Sequence, residues 1–238
     1  MNGVTFGEKH SLRDWGLLLK SRPVISPPEA KTIYIDVAGA DGSLDLTEAL
    51  TGDVKYKNRK ISFEFIVLDA RNRWSNIYSE IMDYLHGQQM KIVLDEDSSY
   101  YYVGRLNVDE WNSNKVTSTI KISGVVDPYK YEQKSSLEDW EWDTFNFETG
   151  YIRDYRDIEI VGKRNVAIDG TRKTIVPTII ATIPEGETLT VYSSINYQVV
   201  TLANGKNKNP YLKIPMEGVR YTFSGVGKIS IDYRGARL

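Results

Sequence analysis

Apolar and polar residues alternate along most of the chain. "TIYIDV" (32–37), "MKIVLD" (90–95), "SYYYVGRLNV" (99–108) and "KVTSTIKISGVV" (115–126) carry apolar or small residues at every second position. A period of two puts those side chains on one face of a strand, and β-branched and aromatic residues favour that state. "KISFEFIVLD" (60–69) alternates at first and then turns continuously apolar, which predicts a strand covered on both faces. One segment has another period. In "RNRWSNIYSEIMDYLHGQQ" the apolar residues Trp74, Ile77, Ile81 and Leu85 fall three or four apart. That spacing predicts one helix with an apolar face on the sheet. Asn72 or Ser75 would cap its start, and Gly87 would take the left-handed turn at its end.

Between 127 and 139 the text changes to "DPYKYEQKSSLED", with many charges and few aliphatic residues. This polar break predicts two domains, 1–133 and 134–238, that fold independently. Beyond it the alternation resumes in "FNFETGYI", "DIEIVGK", "TIVPTIIATI", "ETLTVYS", "YQVVTL", "YLKIP", "VRYTFSG" and "KISIDYRG". "GVGK" (225–228) reads as a short turn between the last two. Pro177, Pro184, Pro210 and Pro215 fall at strand starts or in loops, where a missing donor is harmless. Short strands at this spacing, with no helix, predict a β-sandwich or jelly roll. The fold class is therefore mainly β, with a single helix in the first half.

Composition narrows the chemistry. The 238 residues carry 30 Lys+Arg against 32 Asp+Glu, a net charge of -2, so bulk charge gives no pull toward nucleic acid or anionic membrane. There is no cysteine, which excludes disulfides, thiolate nucleophiles and Cys-based metal sites. The longest apolar run near the start, "WGLLL", is far below the roughly 20 residues of a membrane span, so no membrane partner is expected.

Candidate reactive residues are few. A Ser-His-Asp arrangement would need His10 or His86; His10 has no motif around it, and His86 fits a surface place at a helix C-terminus. Neither G-x-S-x-G nor a phosphate-binding loop is present. Asp41, Asp45 and Glu48 lack calcium-loop spacing, and Asp95, Glu96 and Asp97 read as a solvated turn. Asp139, Glu141 and Asp143 alternate with Trp140 and Trp142. Acids in water and aromatics inward account for them; a glycosidase pair is the sharper alternative. "YKNRK" (56–60) and "GKNKNP" (205–210) read as solvated basic turns. The residues thus single out no catalytic, cofactor-binding or metal site.

The stretch "TIYIDVAGADGSLDLTEALTG" (32–52) begins as a strand, turns at Asp41-Gly42, and then sets Asp45 and Glu48 among leucines. "DWGLLL" (14–19), "SPPEAKT" (26–32), "VAGADGSLDLTEAL" (37–50), "YKNRKISFEF" (56–65), "YYYVGRL" (100–106) and "DPYKY" (127–131), in this order and spacing, resemble the distal tail protein (Dit) family of long, non-contractile-tailed bacteriophages. "GVGKISIDYRGARL" is similar to the end of that family's second domain. The departure is Val37-Ala38-Gly39, where the family commonly has Ile-Pro-Gly.

The resemblance implies a hexameric ring at the distal end of the tail tube. It implies an N-terminal β-barrel-like ring domain with one helix and an extended hairpin, and a C-terminal sandwich like a galectin or a carbohydrate-binding module. The implied partners are further copies of the chain, the major tail tube protein, the tail-tip or tail-associated lysin protein and a receptor-binding protein, with DNA only as passing cargo. The implied place is the virion tail, after synthesis in the host cytoplasm. No catalytic residue, cofactor or metal comes with it. On this reading Leu44, Leu46 and Leu50 bury apolar area at roughly 25 cal/mol per Å², in the subunit core or against a neighbour. The rival is a carbohydrate-binding protein that docks on host-wall glycan, stacking sugars on Trp140, Trp142 or exposed tyrosines.

Overall fold

The computed structural model describes residues 3–138 and 153–238. Trp140, Trp142, the acids of 139–143 and the segment "FNFETGYI" lie outside the described residues. Close contacts divide the chain into two compact units, Met1–Lys130 with Leu238, and Tyr131–Arg237.

The first unit runs β1 (Val4–Phe6), β2 (Lys9–His10), α1 (Ser11–Trp15), β3 (Leu17–Leu19), β4 (Val24–Ile25), β5 (Tyr34–Asp36), β6 (Ser43–Asp45), β7 (Arg59–Val67), α2 (Trp74–Leu85), β8 (Gln89–Leu94), β9 (Tyr100–Ser113) and β10 (Ser118–Val126). An antiparallel sheet of order β2-β1-β8-β9-β10-β7-β3 forms its body, and β4 also pairs with β7. Phe6, Phe63, Phe65, Ile92, Leu106, Ile120 and Ile122 fill the core from alternate strand positions. The face of α2 closes over the same core with Trp74, Ile77, Ile81 and Leu85, the four residues that its spacing selects.

Two local expectations are corrected. Neither Asn72 nor Ser75 caps α2; a turn of 3-10 helix, Arg71–Arg73, leads into it, and Arg73 at the N-cap makes no side-chain cap bond. Gly87 does take a left-handed φ of 72°. β7 is not covered on both faces: buried and more exposed positions alternate along it to Val67, and Leu68 is 56% exposed. The short α1 carries no apolar period, being a single turn. Its cap is His10, whose ring accepts the Leu12 and Arg13 N–H groups.

β11 (Lys130–Glu132) begins at the boundary, and the second unit goes on through β12 (Ile158–Ile168), β13 (Thr178–Thr182), β14 (Leu189–Ser193), β15 (Val199–Thr201), β16 (Gly205–Asn207), β17 (Val219–Asp232) and β18 (Ala236–Arg237). "VRYTFSG" and "KISIDYRG" are one strand, and "GVGK" lies within it rather than in a turn. β12 pairs with β17 along its whole length, from Ile168↔Val219 to Ile158↔Ile229. On the other side, β14 takes Tyr221–Gly225 and β13 takes Lys228–Asp232. Two wings therefore share one ribbon and diverge where Gly225 and Gly227 stand. The backbone comes so close there that a Cβ on Gly225 would lie 1.9 Å from the Thr188 carbonyl oxygen. Between the wings lie Ile160, Ile179, Leu189, Val191, Tyr221, Phe223, Ile229 and Ile231. "YLKIP" forms no strand, only the bridge Ile175↔Ile214, yet Leu212 and Ile214 are buried in this core.

Candidate assembly surface

Between β4 and β7 the chain leaves the sheet as a long two-stranded arm. Its root is a ladder of backbone bonds: Ser26 N–H to Lys60 O at 3.0 Å, Lys57 N–H to Glu29 O at 2.7 Å and Lys31 N–H to Lys55 O at 2.7 Å. Further out β5 and β6 pair from Tyr34↔Asp45 to Asp36↔Ser43. The turn is longer than an Asp41-Gly42 hairpin. It spans 37–42 and opens with a β-turn, the Ala40 N–H reaching Val37 O at 3.1 Å. Gly39 is at φ 83°, the third position of a type II turn. Ala38 holds the second position, which proline favours, so the departure from Ile-Pro-Gly gives up a fixed φ and keeps the essential glycine.

Every residue from 31 to 45 is exposed. The arm nevertheless carries Ile33, Tyr34, Ile35, Val37 and Leu44, and beyond them Leu50, which at 88% is the most exposed large apolar residue among those described. Leu44 and Leu50 are therefore not in the subunit core. Residues 32–53 include Asp36, Asp41, Asp45, Glu48 and Asp53 and no Lys or Arg. The rest of the first unit, 1–31 and 54–130, has sixteen Lys/Arg against thirteen Asp/Glu. Acidic and apolar character is thus concentrated on the arm.

The arm's acids serve local structure. Asp45 accepts the Thr47 N–H at 2.9 Å, and bonds from Thr47 and Tyr34 hold its carboxyl below the usual range. Asp36 accepts the Ser43 hydroxyl at 2.6 Å. Among the described residues no group of three His, Asp or Glu side chains is placed to hold a metal ion. Nor is any helix there long and apolar enough to cross a membrane.

Both histidines have structural work. His10 is buried, with Nδ1 taking the Leu12 and Arg13 N–H groups at 3.2 Å and Nε2 bonded to Asp95 at 3.1 Å. Asp95 also accepts the Gly3 N–H at 2.7 Å. The turn 95–97 is thus more than a solvated loop: Asp95 ties the first strand to α1, and Asp97 pairs with Lys130 at 2.5 Å. Sequence reasoning missed His10, and the signal that could have found it is a ring acceptor just before "SLRDW". His86 is exposed, as its position at the helix end implies, and its Nδ1 accepts the Val108 N–H at 3.1 Å. Of the basic turn 56–60, Arg59 is buried against the Tyr102 ring, 4.9 Å from its centroid. Lys57 pairs with Glu29 at 2.8 Å.

A cavity of about 290 Å³ opens on the first unit, lined by Gly3, Leu18, Leu19, Ser21, Arg22, Pro23, Leu94 and Glu96. Arg22 is set at 3.6 Å from Glu96 and its side chain is 90% exposed.

No protein-family profile and no curated protein matches the sequence. Among solved structures, the chain is similar to SPP1 Dit, described as a paradigm of the hub adsorption apparatus in phages that infect Gram-positive bacteria. All of each chain is covered, with a TM-score of 0.63. The fold is Dit-like. Identity is only 11%, so the likeness shows architecture: a β-rich first unit bearing one long helix, followed by a second β unit.

Proposed function

We propose that this chain is a structural subunit of a phage tail, acting at the distal end of the tube as part of the hub that joins tube to tip. Six copies, the number that the family resemblance implies, close into a ring around a channel through which DNA passes. The tube protein binds one face; the tip or tail-associated lysin protein and a receptor-binding protein attach beyond it. The role is non-enzymatic.

The observation that carries the reading is the arm. An extended ribbon carries five apolar side chains from 33 to 44, each 45–60% exposed, and none of them joins a hydrophobic core of its own chain. Isolated two-stranded hairpins are marginal in water, and contiguous exposed apolar surface marks an interaction site. A contact between an arm on one copy and a body on the next uses two different patches, the heterologous geometry that generates closed rings. The Dit-like fold supports the same conclusion. Negative-stain microscopy of the purified full-length chain is the direct test: annular particles with a central opening are expected, and dispersed single copies would refute the role.

A second reading has an observation of its own. In the second unit Tyr197 is 76% and Tyr211 is 58% exposed, and Asn196 joins their loops by donating to Tyr211 O. Such rings could stack on wall sugars, as could Trp140 and Trp142. Calorimetric titration of the full chain with wall saccharides tests it; saturable heat lost in Tyr197→Ala would favour a glycan-docking role.

A further inference from the structure

Resting on the ring reading, we propose that Leu50 of one copy seats in the Leu18–Leu19–Leu94 cavity of the next, with Arg22 at the cavity mouth facing Glu48 beside it. Three independent observations converge on this seat.

The first is the shape of the arm's shoulder. Leu50 is held out by a hydrogen-bonded turn: Ala49 N–H to Leu46 O at 3.1 Å, Thr51 N–H to Glu48 O at 3.2 Å and Gly52 N–H to Glu48 O at 2.8 Å. Gly52, at φ 73°, lets the chain reverse there. A leucine fixed in solvent at 88% exposure costs burial energy in the lone chain and loses little entropy on docking, because its backbone is already ordered.

The second is the size and chemistry of the cavity. Its 290 Å³ is about ten times the roughly 30 Å³ share of one liquid water, ample for a leucine side chain. Leu18, Leu19, Leu94 and Pro23 supply an apolar lining and Arg22 the only cation. The third is charge. The segment 32–53 is acidic throughout while the body of the unit has an excess of cations, so an arm is drawn to another copy's body. Arg22, paired only at 3.6 Å with Glu96, is free to turn to Glu48 of an incoming arm.

The absence of native cysteine makes the contact directly readable. Co-expressing a size-tagged Leu50→Cys chain with an untagged Leu19→Cys chain, then oxidising, should give a disulfide-linked band containing one of each. Ser21→Cys, on the exposed rim, replaces Leu19→Cys if the latter lowers the melting temperature. The charge arm is Arg22→Glu, expected to weaken assembly about tenfold and to be restored by Glu48→Arg. A linked band together with charge rescue supports the seat. Rings by light scattering without the linked band overturn the seat and leave the ring reading standing. A chain that never assembles overturns both.

Discussion

Gly225 shows how much one atom can decide. It stands at φ 128°, and an added methyl would overlap the Thr188 carbonyl at 1.9 Å. Gly225→Ala should destabilise the second unit by about 3 kcal/mol, combining backbone strain with overpacking; a melting curve shifted by less than a degree would contradict that account. "GVGK" looks like a turn because the same glycines that make turns also permit close approach of a neighbouring carbonyl. His10 was equally illegible: its role depends on Asp95, 85 positions away. Burial acts to raise the Asp95 carboxyl, but the Gly3 N–H, the His10 ring and the charge of Arg13 outweigh it and hold it below the usual carboxylate range. A lowered carboxyl stabilises the fold above its unfolded value, and that contribution fades as pH falls through and below that range. The melting-temperature gap between wild type and Asp95→Asn should therefore be wide at neutral pH and narrow as the pH falls below the usual carboxylate range. A gap independent of pH would contradict it.

Elements with a period were legible, because burial itself imposes the period. The face of α2 is buried at the four residues that the spacing picks out, and the strands of the first sheet follow their alternation. The ends of α2 were not, since a 3-10 turn can start a helix without a capping side chain. The arm was legible as a hairpin but not as exposed: "TIYIDV" alternates like a core strand. Its apolar positions belong on this account to a partner, and sequence alone does not say whose core a residue joins. The pair Ile35→Thr and Leu44→Thr, exposed positions that face each other across β5 and β6, should change the stability of the lone chain by less than about 0.5 kcal/mol while abolishing assembly. Unfolding of the double variant, or unchanged assembly, would contradict the arm's role.

At the scale of the whole molecule, the polar segment that separates the two halves is not a bare tether. Ser136 accepts the Tyr233 N–H at 2.9 Å and donates to Ile231 O at 2.7 Å; Glu132 pairs with the buried Arg153; Arg234 reaches Glu138 at 2.9 Å. We expect the second unit to fold alone as 131–238 and to be weakened as 139–238, because the cut removes the Glu132–Arg153 pair and the Ser136 bonds to Tyr233 and Ile231. Calorimetric melting of the two fragments checks this, and equal stability would contradict it.

The claim on which the rest depends is that the chain works by closing on copies of itself. Native mass measurement of the full-length protein tests it most directly. The account predicts one dominant closed species at six times the 27.2 kDa chain mass, which falls apart when the arm's apolar residues are replaced. A single copy at every concentration would contradict it.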